Sequence, residues 1–121
     1  MASLLPTLTL TSKDTSSDII SFSVSDALAV TEPIVNLARV TVATTSGEVS
    51  KANASKIRYF YAKNLDETNH IDLQTAAGVV YATLQPGEFC WMPQAVSAAG
   101  VHAIADTAPC VLEYGYWSKK A

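Results

Sequence analysis

Ile57-Arg58-Tyr59-Phe60-Tyr61-Ala62-Lys63-Asn64 opens the stretch that decides the fold, and Val111-Leu112-Glu113-Tyr114-Gly115-Tyr116-Trp117 closes it. Between them, short segments of alternating apolar and polar residues are separated by turn chemistry. Alternation with a period of two marks a strand with one covered face, and aromatic residues favour that pleated surface. Leu65-Asp66-Glu67-Thr68-Asn69 reads as a loop, and His70–Gln74 as a short strand with Ile71 and Leu73 pointing the same way. Ala76-Ala77-Gly78 turns the chain into a strand over Val79–Leu84. Gln85-Pro86-Gly87-Glu88 fits a type II turn, with Pro presetting φ and Gly supplying the positive φ that follows. Phe89–Met92 is a strand that Pro93 ends, Gln94–Gly100 is a loop of small residues, and Val101–Ala105 leads through Asp106-Thr107-Ala108-Pro109 to the last strand, Cys110–Trp117.

Working outward, the first half carries weaker punctuation. Leu8 and Leu10 alternate with Thr, and Pro6 confines residues 1–10 to an extended arm or an edge strand, because it cannot donate to a ladder. Ser12–Asp18 is a polar turn. Ile20, Phe22, Val24, Asp26, Leu28 and Val30 then share one face of a long alternation, so either a strand bends at Ser25-Asp26 or two strands meet there. Glu32-Pro33 breaks the pattern, Val35–Val42 resumes it, Thr44-Thr45-Ser46-Gly47 turns, and Ser50–Ser55 is a loop. No segment has a 3.6-residue period. About nine or ten strands with short connections predict a single all-β domain over residues 1–121. The expected form is an antiparallel β-sandwich or jelly-roll-like barrel with an extended N-terminal segment.

Composition narrows the function classes. One domain is expected from 121 residues, long enough for a core without staples. Apolar residues make up 49% and charged residues 16%, below the ordinary one-quarter charged. The deficit is filled by 12 Ser and 12 Thr, which suits hydroxylated sheet faces and also uncharged protein contacts. Net charge is −3 with no basic run beyond Lys119-Lys120, which argues against direct nucleic-acid binding. No apolar stretch approaches the length of a membrane-spanning helix, and Met1–Pro6 lacks the charged start of a signal peptide, so synthesis in a cytoplasm is expected. Asn53-Ala54-Ser55 matches a glycosylation sequon by pattern only.

Catalytic and metal chemistry finds little to work with. His70 and His102 are the only histidines, and neither stands in a motif around a nucleophile. Gly87 and Pro93 imitate the start of a cupin motif, but the glycine and the histidine that should follow are replaced by Ala95 and Ala98. Two histidines do not make a three- or four-ligand site. Asp66, Glu67 and Asn69 form too short a run for calcium. No catalytic, cofactor-binding or metal-binding residue is therefore expected. Cys90 and Cys110 read as buried thiols, with a bridge as the alternative if their strands are neighbours. Glu113 is expected to face solvent or a partner subunit, and Gly115 to permit a bulge or the close approach of an aromatic ring. Tyr59, Tyr61, Tyr81, Trp91, Tyr114, Tyr116 and Trp117 all fall in the second half, as core, subunit contact or stacking platform.

The run Tyr59–Asn64, the Asp66–Asn69 turn, Leu84-Gln85-Pro86-Gly87-Glu88-Phe89, Ala105-Asp106-Thr107-Ala108 and Leu112-Glu113-Tyr114-Gly115-Tyr116 carry a resemblance. Together they resemble small β-sandwich structural proteins of tailed-bacteriophage virions, such as capsid decoration or cement proteins. The resemblance covers Ile57 to Trp117, about half of the chain. It implies a non-enzymatic protein on the capsid exterior that bridges shell subunits. Its partners would be the major capsid protein or other virion subunits, with a homo-oligomer, trimer or dimer, and no cofactor, nucleic acid or membrane. Under that reading the N-terminal segment lies on a neighbour as an added strand. Leu4, Leu5, Leu8, Leu10, Tyr116 and Trp117 are then the expected partner-binding residues. A lectin-like or receptor-binding module of a phage tail or spike, using the exposed tyrosines and Trp117, is the alternative, and a cupin-like metalloenzyme is the third class.

Overall fold

The computed structural model describes residues 2–12, 20–32, 37–50, 57–94 and 100–119. Every regular element in them is a strand: β1 (Ala2–Leu4), β2 (Thr7–Thr11), β3 (Ser21–Ser25), β4 (Leu28–Glu32), β5 (Ala38–Val42), β6 (Gly47–Ser50), β7 (Ile57–Asn64), β8 (Ile71–Gln74), β9 (Val80–Leu84), β10 (Phe89–Gln94), β11 (Val101–Ala105) and β12 (Cys110–Lys119). All pairings are antiparallel. The polar turn at 13–18, the break at Pro33, the start of the alternation at Val35, the sequon at Asn53–Ser55, the loop at 95–99 and Lys120 lie outside the described residues.

β12 organises the larger sheet, whose order is β1-β4-β12-β7-β10 with β5 also on β12. The first half of β12 pairs with β5 on one side, its last residues pair with β4 on that same side, and β7 runs along the other. A second sheet, β6-β11-β8-β9, packs against it, and β2-β3 form a separate two-stranded ribbon. The expected β-sandwich is therefore the observed architecture. Alternation explains why the two sheets meet where they do. Phe60, Ala62, Cys110, Leu112 and Val42 point inward from the larger sheet, and Ile71, Leu73, Leu84, Val101, Ala103 and Ala105 meet them from the smaller. Phe60, Ile71, Leu73 and Leu112 have no exposed surface, and each such side chain contributes roughly 1.5–3 kcal/mol of transfer free energy.

One buried polar residue ties the two sheets together at their turn end. Asn64 ends β7 with no exposed surface, and its amide donates to the carbonyls of Asn69 and Leu84, both at 2.9 Å. Its side-chain oxygen accepts the Asp66 backbone N–H at 2.9 Å, so every strong group of the side chain is satisfied. The loop that follows is closed by Asp66, whose carboxylate accepts the N–H groups of Asn69 and Thr68. Those two bonds hold the Asp66 carboxyl below the usual carboxylate range. The turn over 85–88 forms as its sequence predicts, with Gly87 at φ +83° and Glu88 N–H donating to Gln85.

Several boundaries differ from the expectations, each for a physical reason. Twelve strands occur among the described residues because two apparent runs are split and β6 carries no alternation long enough to signal it. The long run from Ile20 takes the second of its two expected forms and divides at Asp26-Ala27, where Asp26 N–H donates to Pro6 and its carboxylate accepts the Ala27 N–H. Residues 2–11 likewise divide around Pro6 into β1 and β2, which are edge strands paired within the chain rather than a free arm. Pro93 does not end β10, which continues to Gln94. β10 is the last strand of its sheet, and the Asn64 N–H to Glu88 carbonyl bond sets the alternation so that Phe89, Trp91 and Pro93 turn their backbone groups away from β7. The missing proline N–H thus falls on the open side, where no ladder bond is lost.

Candidate functional site

The outward face of the larger sheet is aromatic. Register places Trp91 of β10 opposite Tyr61 of β7, and Trp117 of β12 opposite Tyr59. Tyr59 stacks on Trp91 with ring centres 5.6 Å apart and planes 13° apart, and Trp117 meets Trp91 at 5.6 Å with a 39° tilt. Gly115 permits this ladder. A Cβ there would stand 2.9 Å from the Trp117 ring and 3.0 Å from Leu37, so the expected close approach of an aromatic ring is what the glycine provides. Phe89, 62% exposed, and Trp91, 37% exposed, extend the face to the sheet edge.

Beside the ladder lies one polar group of three. The Tyr61 hydroxyl donates to Glu113 at 2.9 Å, and Arg39 reaches the other carboxylate oxygen at 3.8 Å. Glu113 points to this outward face, away from the core that Leu112 enters, and its carboxylate is paired there within the chain. Arg39 is largely exposed, so its ion pair adds little. Burial, then the hydrogen bond and charge of Glu113, push the Tyr61 hydroxyl up to about 12.

The N-terminal ribbon supplies the second component. Cross-strand pairing sets Leu8 against Val24 and Leu10 against Phe22, while Thr7, Thr9 and Thr11 face Ser25, Ser23 and Ser21. One face of the ribbon is therefore apolar and the other wholly hydroxylated. The apolar face is left open, with Leu8 at 44%, Leu10 at 47% and Phe22 at 44% exposure. Between ribbon and sheet lies a cleft of about 790 Å³ whose walls include Leu4, Leu5, Leu8 and Val24 on one side and Tyr61, Phe89 and Trp91 on the other.

Of the expected partner-binding residues, the structure brings Leu4, Leu5 and Leu8 to this cleft and places Leu10 further along the same ribbon face. Trp117 joins the aromatic ladder. Tyr116 points the other way and packs on the core. Trp91, one of the aromatics expected as core, contact or stacking residues, joins the cleft, and Phe89 and Val24 line it without any site expectation, although their alternation with Cys90 and with Ser23 and Ser25 is plain in the sequence. Nothing in that alternation shows which two strands will face each other across a gap.

The remaining reactive groups are held in structural settings. His70 has Asp106 at 3.6 Å and Asp72 at 3.8 Å, and His102 has Glu48 at 3.9 Å. No group of three residues suited to a metal occurs among the described residues. Cys90 and Cys110 are free thiols, on strands separated by β7. Burial pushes both up, and the Cys110 thiol lies 3.3 Å from the Ala108 carbonyl it donates to, so neither is poised as a nucleophile. Comparison with protein-family models, with curated proteins and with solved structures gives no match for this chain.

Proposed function

We propose that this chain is a non-enzymatic structural protein of a tailed-bacteriophage virion, a decoration or cement protein that binds the outside of the head and bridges shell subunits. The observation that carries this reading is the N-terminal ribbon, which presents a row of open apolar side chains on a rigid sandwich body. An isolated two-stranded ribbon is marginal in water, and exposed apolar faces of this kind mark contact surfaces. The low charge of the chain suits the same role, since charge is depleted at the centre of protein interfaces. The major capsid protein would be the principal partner, with the chain acting as a trimer or dimer at the capsid exterior.

Copy number in purified particles is the direct test. Many copies spread over the head are expected, and loss of attachment is expected for the triple variant Leu8→Thr, Leu10→Thr, Phe22→Thr. These residues are partly exposed, so the sandwich core should survive their substitution. Absence of the protein from purified particles would overturn the reading. The aromatic ladder favours one other function, a lectin-like module of a tail or spike, because aligned rings can stack on sugars. Glycan binding that disappears in Trp91→Ala or Trp117→Ala, together with a few copies per tail, would put that function in place of the first.

A further inference from the structure

The cleft is shaped by two backbones as much as by side chains. Its walls include five consecutive residues, Leu4 to Leu8, and three more, Phe89, Cys90 and Trp91. Cys90 alternates with its neighbours and packs toward the core, so its presence in the wall means the cleft runs along the β10 main chain itself. Leu4 ends β1, and β1 and β10 are the two ends of the path β1-β4-β12-β7-β10 in the larger sheet. Two edges of one sheet thus border a single gap. Among the described residues β10 pairs only with β7, β1 only with β4, and β2 only with β3. The backbone groups of Phe89 and Trp91 point into this gap, as the β7 register requires.

We propose that the gap accepts an extended segment of a partner protein, which pairs with the open edge of β10. The partner's chemistry follows from the walls. Leu5, Leu8 and Val24 on one side and Phe89 and Trp91 on the other call for apolar side chains at every second position. Among the described residues lining the cleft, Asp26 alone is charged and none is basic, so the segment carries lysine or arginine and not glutamate or aspartate at its end. The cleft volume of about 790 Å³ lies in the range of built ligand sites. This inference stands apart from the virion assignment, since it specifies a kind of segment and not the particle that contains it.

The probe is a heptapeptide, Lys-Val-Thr-Val-Thr-Val-Lys, added to the isotope-labelled protein while amide hydrogen exchange is followed residue by residue. The Phe89 and Trp91 amides should slow by at least about tenfold as they enter a ladder, and the amides of Cys90 and Met92, already turned to β7, should not change. A copy of the peptide N-methylated at alternate residues, and one with Glu in place of both Lys, should each lose that protection. Phe89→Lys, at an exposed position that leaves the core intact, should lose it too. Equal protection with the N-methylated peptide would overturn strand pairing in favour of a general apolar site, and equal protection with the Glu peptide would overturn the charge complementarity. Protection of both amides before any peptide is added, with concentration-dependent dimers, would make a second copy the occupant and overturn the proposal. No protection with peptide near 1 mM, where binding is worth only about 4 kcal/mol, would overturn it as well.

Discussion

β2–β3 and β8 are written in the same alphabet and end in opposite environments. Leu8, Leu10, Phe22 and Val24 alternate with Thr and Ser, as Ile71 and Leu73 alternate with Asp72 and Gln74. The first set is 44–54% exposed, whereas Ile71 and Leu73 have no exposed surface. Nothing within either segment explains this. β8 lies inside a sheet, between β11 and β9, and its apolar side meets Phe60 and Leu112 from the opposing sheet. Among the described residues the ribbon has no second sheet laid on it, only one wall of an open cleft. Alternation therefore states which residues share a face, and the number of layers stacked on that face states whether it is core or contact surface.

The comparison breaks most visibly under truncation. Leu73→Ala should destabilise the protein by about 2–5 kcal/mol, because a closed core cannot refill the space. Leu10→Ala should change it by no more than about 0.5 kcal/mol, as for other exposed positions. Denaturant titration of the two variants checks both, and equal losses would mean that the ribbon face is covered in solution. Asn64→Ala comes next, at about 2–3 kcal/mol, since it strands the buried carbonyl of Leu84 and frees the loop that follows. The same change at Asn69, a partly exposed residue, should cost clearly less by the same measurement.

Smaller effects sharpen the view of the aromatic face, which is neither core nor free surface. Tyr61 is pushed up to about 12 from an ordinary 10. A raised folded value means that its contribution is complete below pH 10 and is lost as pH climbs to about 12. Tyr61→Phe should accordingly flatten the alkaline fall in stability over that window. Tyr81, raised to about 12 by burial first, keeps part of the slope. Gly115→Ala should have the least effect on stability, about 1 kcal/mol or less, because Trp117 and Leu37 are free to shift at their ends. It should nonetheless alter the near-ultraviolet circular dichroism by displacing Trp117 from Trp91, and an unchanged spectrum would show that the ladder does not depend on the glycine.

Much of the second half was legible because its signals are local. The turn at 85–88 needs Pro and Gly at adjacent positions, and Gly87 adopts the positive φ that this requires. The inward set of β8 follows from period two alone, and the use of Gly115 follows from its place between aromatic residues. The candidate site was legible only in fragments. Leu4, Leu5 and Leu8 could be named, but their cleft partners Phe89 and Trp91 lie more than eighty residues away in sequence. The side-chain roles of Tyr116 and Trp117 show the same limit, since adjacent residues on one strand must point to opposite faces and only the packing shows which face is covered.

By itself the sequence determined that this chain is all-β, where most of its second-half turns fall, and which residues of each strand share a side. Those features depend on backbone preferences and on a two-residue repeat, and both act over a few neighbours. Tertiary structure alone decided that the run from Ile20 splits rather than bends at Asp26, that Pro93 sits harmlessly within an edge strand, that Glu113 is paired inside the molecule, and that two strand edges border one gap. Each depends on which distant strand lies alongside, and pairing between distant strands is a property of the whole sheet that no local pattern encodes.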